Sequence, residues 1–235
     1  RSIQLEKSQR YSDALRLMHD ARRKHPQDRG LALRHAQLFE NTKQFPQAIG
    51  VYRSLVASQP ETQEANLVIG LARCLLKTSQ YEQAAKLFTQ VQAKLPRNPD
   101  VLVGLAGCRR HKGALNEAED LVRQAHAVNA DFKPATHELA EIQIANKNDE
   151  EAVRTLERNA LREDLHGDSL DLWLVTLKRL QRDRYAQEQL EAFAQKFPRK
   201  VEFIYALGVI AQRAGEISIA RPALQKANDQ AAIAW

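Results

Sequence analysis

An alanine recurs along the whole chain at an almost constant interval. The steps are 34, 36, 34, 34, 34 and 34 residues between Ala14, Ala48, Ala84, Ala118, Ala152, Ala186 and Ala220. A domain with one closed core has no reason to repeat itself at a fixed interval, whereas a stack of similar supersecondary units does. The interval therefore predicts a repeat protein of about seven units.

Other residue types keep the same interval. A large apolar residue follows each alanine by four positions, at Met18, Tyr52, Phe88, Val122, Leu156, Leu190 and Leu224. A second small residue precedes the alanine by twelve positions at Ala36, Ala72, Ala106, Ala140 and Gly208, often directly after a leucine (Leu71, Leu105, Leu139, Leu207). Proline follows by twelve positions at Pro26, Pro60, Pro96 and Pro198. Each unit thus contains two apolar-periodic segments of helix length joined by a short polar turn.

Helix-start residues stand where these segments begin. Two pairs have capping-box spacing, Ser79 with Glu82 and Asn148 with Glu151. Two others place a capping residue before a proline in the first turn, Asn98 with Pro99 and Asp131 with Pro134. We therefore expect helices to start at these points.

The combined pattern resembles the tetratricopeptide repeat, a helix–turn–helix unit of 34 residues. The stretch from Ala84 through Phe88 to Pro96 carries the resemblance most clearly. It implies an all-α fold, a right-handed α-α superhelix (solenoid) of stacked helix–turn–helix repeats. We expect a single solenoid over 1–235, with units centred near 1–28, 29–62, 63–98, 99–132, 133–166, 167–200 and 201–235. Because both ends interrupt the pattern, we also expect a fragment of a longer protein.

The fifth and sixth units depart from the pattern. Asp164 replaces the closing proline, and Leu174, preceded by Trp173, occupies a position that is small elsewhere. We therefore predict altered stacking on the two sides of Gly167. In the last unit, Pro222 falls in the second helix, where a proline in a helix interior costs up to about 3 kcal/mol.

No motif for catalysis, cofactor binding or metal binding stands out. Gly104 and Gly107 are spaced like small residues on a packed helix face and do not form a phosphate loop. The stretch His137-Glu138-Leu139-Ala140-Glu141 has a glutamate where a zinc-protease helix needs its second histidine. The remaining histidines show no ligand spacing. We therefore expect neither an enzyme nor a cofactor or metal site.

Cysteine usage and net charge each leave two interpretations. Cys74 and Cys108 are 34 residues apart, so they occupy one structural position in neighbouring repeats, and we expect two buried thiols in preference to a disulfide. The net charge of +6 is compatible with nucleic-acid binding, but aromatic residues are only 6% of the chain and belong mostly to core positions. A solvated helical surface is the interpretation that we favour.

The resemblance implies a concave groove lined by the first helix of each unit, which in this family commonly receives a peptide or a partner helix. Helical phase assigns to it Arg34, Gln37, Asn41, Asn66, Arg73, Lys77, Arg110, His111, Lys178, Arg179 and Arg213, together with Ile69, Val103, His137, Glu138, Glu141, Asp171, Tyr205 and Gln212. The excess of cations suggests an acidic segment as ligand. The alternative is that these are ordinary exposed charges. The lysine–asparagine clamp of chaperone-binding members is absent, since Leu33 with Gln37 and Ile69 with Arg73 stand at its positions.

The functional hypothesis is a non-catalytic scaffold that binds a protein or peptide in this groove. One alternative is an accessory repeat region of a larger enzyme, such as a transferase, or of a secretion or polysaccharide-export assembly. Another is direct binding of an acidic polysaccharide or nucleic acid, which would depend steeply on salt. No apolar run is long enough to span a membrane. Self-association end to end is compatible with the interrupted pattern, and the compartment, cytoplasmic or periplasmic, stays open.

Overall fold

A computed structural model of the chain describes residues 2–58, 65–160 and 168–233. These residues contain thirteen α-helices and no strand, which confirms the all-α prediction. The helices are α1 (Ser2–Lys24), α2 (Arg29–Asn41), α3 (Phe45–Ala57), α4 (Ala65–Lys77), α5 (Tyr81–Gln92), α6 (Pro99–His111), α7 (Leu115–Val128), α8 (Lys133–Ala145), α9 (Asp149–Ala160), α10 (Asp168–Arg179), α11 (Asp183–Lys196), α12 (Val201–Arg213) and α13 (Ile217–Ile233).

The chain divides into two compact units. The N-terminal unit is Glu6–Glu138, and the C-terminal unit is Leu139–Trp235, to which Arg1–Leu5 are also assigned. Each has its own apolar core, built in the N-terminal unit from α2 to α6 and in the C-terminal unit from α8 to α13. From α2 to α7 and from α9 to α13, helices that follow one another in the chain pack as neighbours, as in a stack of helix pairs.

The recurring alanines lie where the second helix of each pair approaches its neighbours. Ala48, Ala84, Ala118 and Ala152 are completely buried, and Ala186 and Ala220 nearly so. The apolar residue four positions later lies on the same helix face and is also buried in Tyr52, Phe88, Val122, Leu156 and Leu190. A fully buried side chain of this size stabilises the fold by about 1.5–3 kcal/mol. The interval in the sequence is therefore the interval of the core.

Glycines on two first helices sit directly under aromatic rings of the preceding second helix. A Cβ atom at Gly70 would lie 2.6 Å from Tyr52 Cζ, and one at Gly104 would lie 2.2 Å from Phe88 Cζ. No side chain fits at such distances, since carbon atoms in contact are about 3.5–4.0 Å apart. The expectation that Gly104 belongs to a packed helix face is therefore confirmed.

The turn inside each helix pair contains one residue in the left-handed conformation. These residues are Lys43, Ser79, Gly113, Lys147, Gln181 and Gly215, with φ between 58° and 79°. They follow the repeat interval, yet only two of the six are glycines, the residue that adopts this conformation without steric cost. The capping box predicted for Ser79 with Glu82 is wrong, because Ser79 is this turn residue and Gln80 is the N-cap of α5.

The other predicted helix starts lie at or near the observed ones. The side chain of Asn98 accepts a hydrogen bond from the Val101 N–H at 3.2 Å, with proline at the first turn of α6. Asn148 directly precedes α9. Asp131 is not adjacent to its helix, since α8 begins two residues later at Lys133, but Pro134 does fall in the first turn.

The first unit lacks the expected helix–turn–helix form. Its backbone is one continuous helix from Ser2 to Lys24, with no left-handed turn residue among the described positions. Ser8-Gln9-Arg10 contains no residue that by itself ends a helix, and turns such as Thr78-Ser79-Gln80, which also lack glycine and asparagine, form where the two helices that they join pack on each other. The prediction of altered stacking at Gly167 and the departure at Asp164 lie outside the described residues.

Pro222 lies inside α13, which begins at Ile217. The proline is thus the sixth residue of its helix, beyond the first turn in which the ring would be harmless. Elsewhere, both cysteines are free and buried, which confirms the expectation of two thiols. Burial raises the pKa of Cys74 to about 12 and that of Cys108 to about 11. Among the described residues, no helix combines the length and apolar character that a bilayer crossing requires.

Candidate functional site

The first helices of the N-terminal unit form one continuous surface. Helix α4 packs on α2 at one side and on α6 at the other. The first-helix face is defined here as the outward side chains of α2 and α4, namely Arg34, Gln37, Asn41, Asn66, Arg73 and Lys77, all of which are exposed. Their spacing of three, four, seven or eleven residues keeps them on one side of each helix.

Arg73, at the middle of this face, is already engaged within the molecule. Its guanidinium forms a bidentate pair with Glu40 of α2, with Arg73 Nη2 donating to Glu40 Oε2 at 3.1 Å. On the other side, Arg73 Nη1 is 3.7 Å from Asp100 Oδ1 of α6. The hydroxyl of Tyr52 also donates to Glu40, at 3.1 Å. Arg73 therefore links three successive first helices, and its charge is compensated.

Arg110 is compensated more completely. Its Nε donates to Glu138 Oε1 at 2.7 Å, and only 15% and 10% of the two side chains are exposed. The ring of His111 stacks on Tyr81 at 4.1 Å between ring centres. Two residues assigned to the groove from helical phase, Ile69 and Glu138, are instead buried. Ile69 faces the interior because α4 packs on α2, α3, α5 and α6. Glu138 is buried in its ion pair with Arg110 of α6.

Two cations of the first-helix face are not compensated in this way. Arg34 on α2 and Lys77 at the end of α4 are exposed, and neither makes an ion pair within residues 2–58, 65–160 and 168–233. Asn41 and Asn66 add exposed amides on the same helices. The positive potential that remains on this surface therefore comes from its Arg34 and Lys77.

The first helices of the C-terminal unit show the same division. Arg179 donates from Nε to Asp149 Oδ2 at 2.7 Å, so it too is compensated. Lys178 and Arg213 are exposed, and no ion pair involves them in the described part of this unit. Val175 lies one helical turn from Arg179, and it is 63% exposed although apolar.

Sequence reasoning missed the acidic partners of these arginines. Glu40, Asp100 and Asp149 were not assigned to the surface, yet each lies 27 to 33 residues along the chain from the arginine that it pairs with. A search for opposite charges nearly one repeat apart would have found them, because residues one unit apart lie on adjacent helices. The compensating ion pairs between repeats thus carry a detectable sequence signal.

The described residues contain no cluster of three or more histidine, cysteine or acidic side chains that could hold a metal ion. His137 is half-buried and its neighbour Glu138 is bound to Arg110, so the stretch that begins like a zinc-protease helix is part of the helix packing. What the surface offers is guanidinium, ammonium and amide groups spaced along parallel helices. Such groups bind carboxylates and backbone carbonyls.

Comparison with known proteins identifies the repeat. Two family models described as tetratricopeptide repeat match residues 4–61 and 75–131. No curated protein matches the chain. A tetratricopeptide repeat protein from Parabacteroides merdae is similar in structure, with a TM-score of 0.56 and 14% identity over 97% of this chain and 90% of that one.

Two further solved structures are similar. A thermophilic TPR protein of Thermus thermophilus has a TM-score of 0.63 and 16% identity, over 78% of this chain and 99% of that chain. PilW, a type IV pilus biogenesis factor, has a TM-score of 0.58 and 20% identity over 84% and 90%. At these identities the similarity shows the fold alone. The family models match two stretches in which the alanine interval recurs, and the helix pairs of the chain follow the same interval. The chain therefore belongs to the tetratricopeptide repeat family, whose members serve as scaffolds for protein–protein interaction.

Proposed function

We propose that the first-helix face of the N-terminal unit binds a segment of a partner protein, and that this segment is acidic. The observation that carries the proposal is the presence of two exposed cations, Arg34 and Lys77, that no carboxylate of the described residues compensates. Arg73 of this face and Arg110, which helical phase assigned to the groove, hold neighbouring repeats together and contribute little net charge.

The chemistry of the face suits an extended peptide. Arginine can grip a carboxylate through two parallel N–H···O bonds, and lysine acts as a point charge for a second one. Gln37, Asn41 and Asn66 lie on the same helices and can donate to or accept from a peptide backbone. Cations and amides on adjacent helices therefore favour a segment that crosses α2 and α4.

The proposed role is non-catalytic. Tetratricopeptide repeat proteins are generally scaffolds. The ion pairs of this surface join neighbouring repeats, so their charged groups have a structural role. We also propose the division into seven units given above as the repeat organisation of this scaffold. The first of these units contributes a single helix, α1.

The test is site-specific capture of the partner. A photo-crosslinking amino acid at Asn66, which is exposed on α4, is compared with one at Gln90, which is exposed on second helix α5. We expect a protein from the native source to be captured at position 66 and not at position 90. Capture of the same set of proteins at both positions would contradict the proposal.

A charge-reversal pair then tests the chemistry. The variant Arg34→Glu with Lys77→Glu should abolish capture at Asn66, because it replaces both uncompensated cations. The matched control is Lys86→Glu, which changes an exposed lysine of α5 that forms no ion pair or hydrogen bond with the face in the described structure. Undiminished capture by the double variant would refute an acidic ligand and leave only the scaffold role.

A further inference from the structure

Arg73 keeps unused hydrogen-bond donors although its charge is compensated. A guanidinium carries its N–H groups in a planar fork. The groups on Nε and Nη2 donate to the two carboxylate oxygens of Glu40. Nη1 lies 3.7 Å from Asp100 Oδ1, which is too long for a hydrogen bond. Within the described structure Nη1 therefore donates to no acceptor, and 44% of the Arg73 side chain is exposed.

Glu40 fixes the direction in which these unused donors point. Its side chain is only 14% exposed, and it also accepts a hydrogen bond from the Tyr52 hydroxyl at 3.1 Å. Tyr52 is buried, so the carboxylate that holds Arg73 is itself held in place. A bidentate pair fixes the plane of a guanidinium as well as its position. The Nη1 edge of Arg73 is therefore preorganised on the first-helix face.

Lys77 lies one helical turn after Arg73 on the same side of α4. Residues four apart on a helix are neighbours, with about 5–6 Å between their Cβ atoms. The ammonium of Lys77 is exposed and makes no ion pair in the described part of the chain. One carboxylate can therefore accept hydrogen bonds from Arg73 Nη1 and from Lys77 together. Hydrogen bonds of this charge-assisted kind are stronger than those between neutral groups.

Asp100 stands at the same edge of Arg73 without forming a hydrogen bond with it. Its side chain is 43% exposed and lies in the first turn of α6, where the helix dipole stabilises a negative charge. Asp100 can therefore turn aside when another carboxylate approaches Arg73. Its negative charge nevertheless opposes that carboxylate.

We propose that Arg73 Nη1 and Lys77 form a subsite for one carboxylate of the partner's acidic segment, that Glu40 positions Arg73 for this contact, and that Asp100 competes with the incoming carboxylate. The inference rests on the proposed function and adds which pair of cations binds a single acidic side chain. Without Glu40, the guanidinium can turn towards Asp100, which then occupies the donors that the partner needs. One acidic residue of this surface thus favours the binding of an acidic segment, and another opposes it.

The experiment measures the dissociation constant of a fluorescein-labelled hexaglutamate peptide for the whole chain by fluorescence anisotropy. At a salt concentration of about 0.15 M the Debye length is about 8 Å, so attraction between distant charges is largely screened. Glu40→Gln should raise the dissociation constant about threefold, because the guanidinium must then be immobilised on binding. Asp100→Asn should lower it about threefold, because it removes a negative charge close to the bound carboxylate.

A double variant separates positioning from a general structural effect. In Glu40→Gln with Asp100→Asn, no competing carboxylate captures Arg73, so the dissociation constant should return to about that of the unmodified protein. Should Glu40→Gln fail to fold, as judged by far-UV circular dichroism, Asp100→Asn alone tests the proposal, because destabilisation does not tighten binding. The matched control is Glu119→Gln, which removes an exposed carboxylate from the second helix α7 and should leave the dissociation constant unchanged.

Three results would overturn the proposal: tighter binding by Glu40→Gln, binding by Asp100→Asn that is not tighter, or no binding of hexaglutamate to the unmodified protein. Each is distinct from failure of the proposed function, which is judged by capture of a partner at Asn66. Capture at Asn66 together with tighter binding by Glu40→Gln would retain the binding face and reject the subsite.

Discussion

Gly104 provides a direct test of the packing between repeats. The change is Gly104→Ala, which adds one methyl group to a helix residue beneath Phe88. Three atoms of the Phe88 ring would lie 2.2 to 2.5 Å from the new Cβ. Because Phe88 is only 1% exposed, the ring cannot move out into solvent. The variant must therefore separate α5 from α6.

The expected magnitude combines two opposing effects. Alanine in place of glycine favours the helix by about 1 kcal/mol. Overpacking a core of native density costs about 1–3 kcal/mol, and contacts this short belong at the upper end of that range. We therefore expect Gly104→Ala to lower the free energy of unfolding by about 2 kcal/mol.

Gly50 is the matched control. It also lies inside a helix, α3, but a Cβ added there would have no neighbour within 4 Å. Gly50→Ala should therefore raise the free energy of unfolding by about 1 kcal/mol, since only the helix preference changes. Urea unfolding followed by far-UV circular dichroism measures both variants. Changes of the same sign in the two would refute the reasoning.

A double variant locates the clash. Phe88→Leu removes the ring atoms that the new methyl group would meet. In the Gly104→Ala background, this substitution should be at least about 1 kcal/mol less destabilising than it is alone, which a double-mutant cycle measures. Additive effects would mean that Gly104 and Phe88 do not oppose each other.

Three further predictions concern turns, proline and the buried ion pair, each measured by urea unfolding. Lys147 and Gly113 both have positive φ, which glycine adopts without steric cost. Lys147→Gly should therefore raise the free energy of unfolding by about 0.5 kcal/mol, and Gly113→Ala should lower it by about 1 kcal/mol. A change in the opposite direction in either variant would contradict this reasoning. Pro222→Ala should stabilise it by about 2 kcal/mol by restoring a helix hydrogen bond; no gain would show that the helix is not strained there. Arg110→Met should cost about 3 kcal/mol, because it removes one partner of a buried ion pair. A loss below about 0.5 kcal/mol, which is typical of surface pairs, would refute the pairing.

The repeat interval predicted the fold because the same interval determines which side chains are buried. Ala84 with Phe88 exemplifies this, since a small and a large residue on one helix face have few ways to pack. Turn conformation was harder to predict. Ser79 looks like a helix cap in the sequence, but its backbone is left-handed, and only the packing of the two helices decides between these roles.

The sequence predicted the position of the candidate site better than it predicted which of its charges are compensated. Helical phase alone placed Arg34 and Lys77 on the exposed side of their helices, as the structure has them. It did not indicate that Arg73 and Arg110 pair with carboxylates of adjacent helices, since that depends on contacts across repeats.

The most direct test of the scaffold account is hydrogen exchange of the chain with and without the partner captured at Asn66. The account predicts that binding protects amides of α2 and α4 and leaves those of the second helices α3 and α5 unchanged. Protection confined to α3 and α5 would contradict the assignment of the first-helix face as the binding surface. So would protection of α2 and α4 that is unchanged in the variant Arg34→Glu with Lys77→Glu.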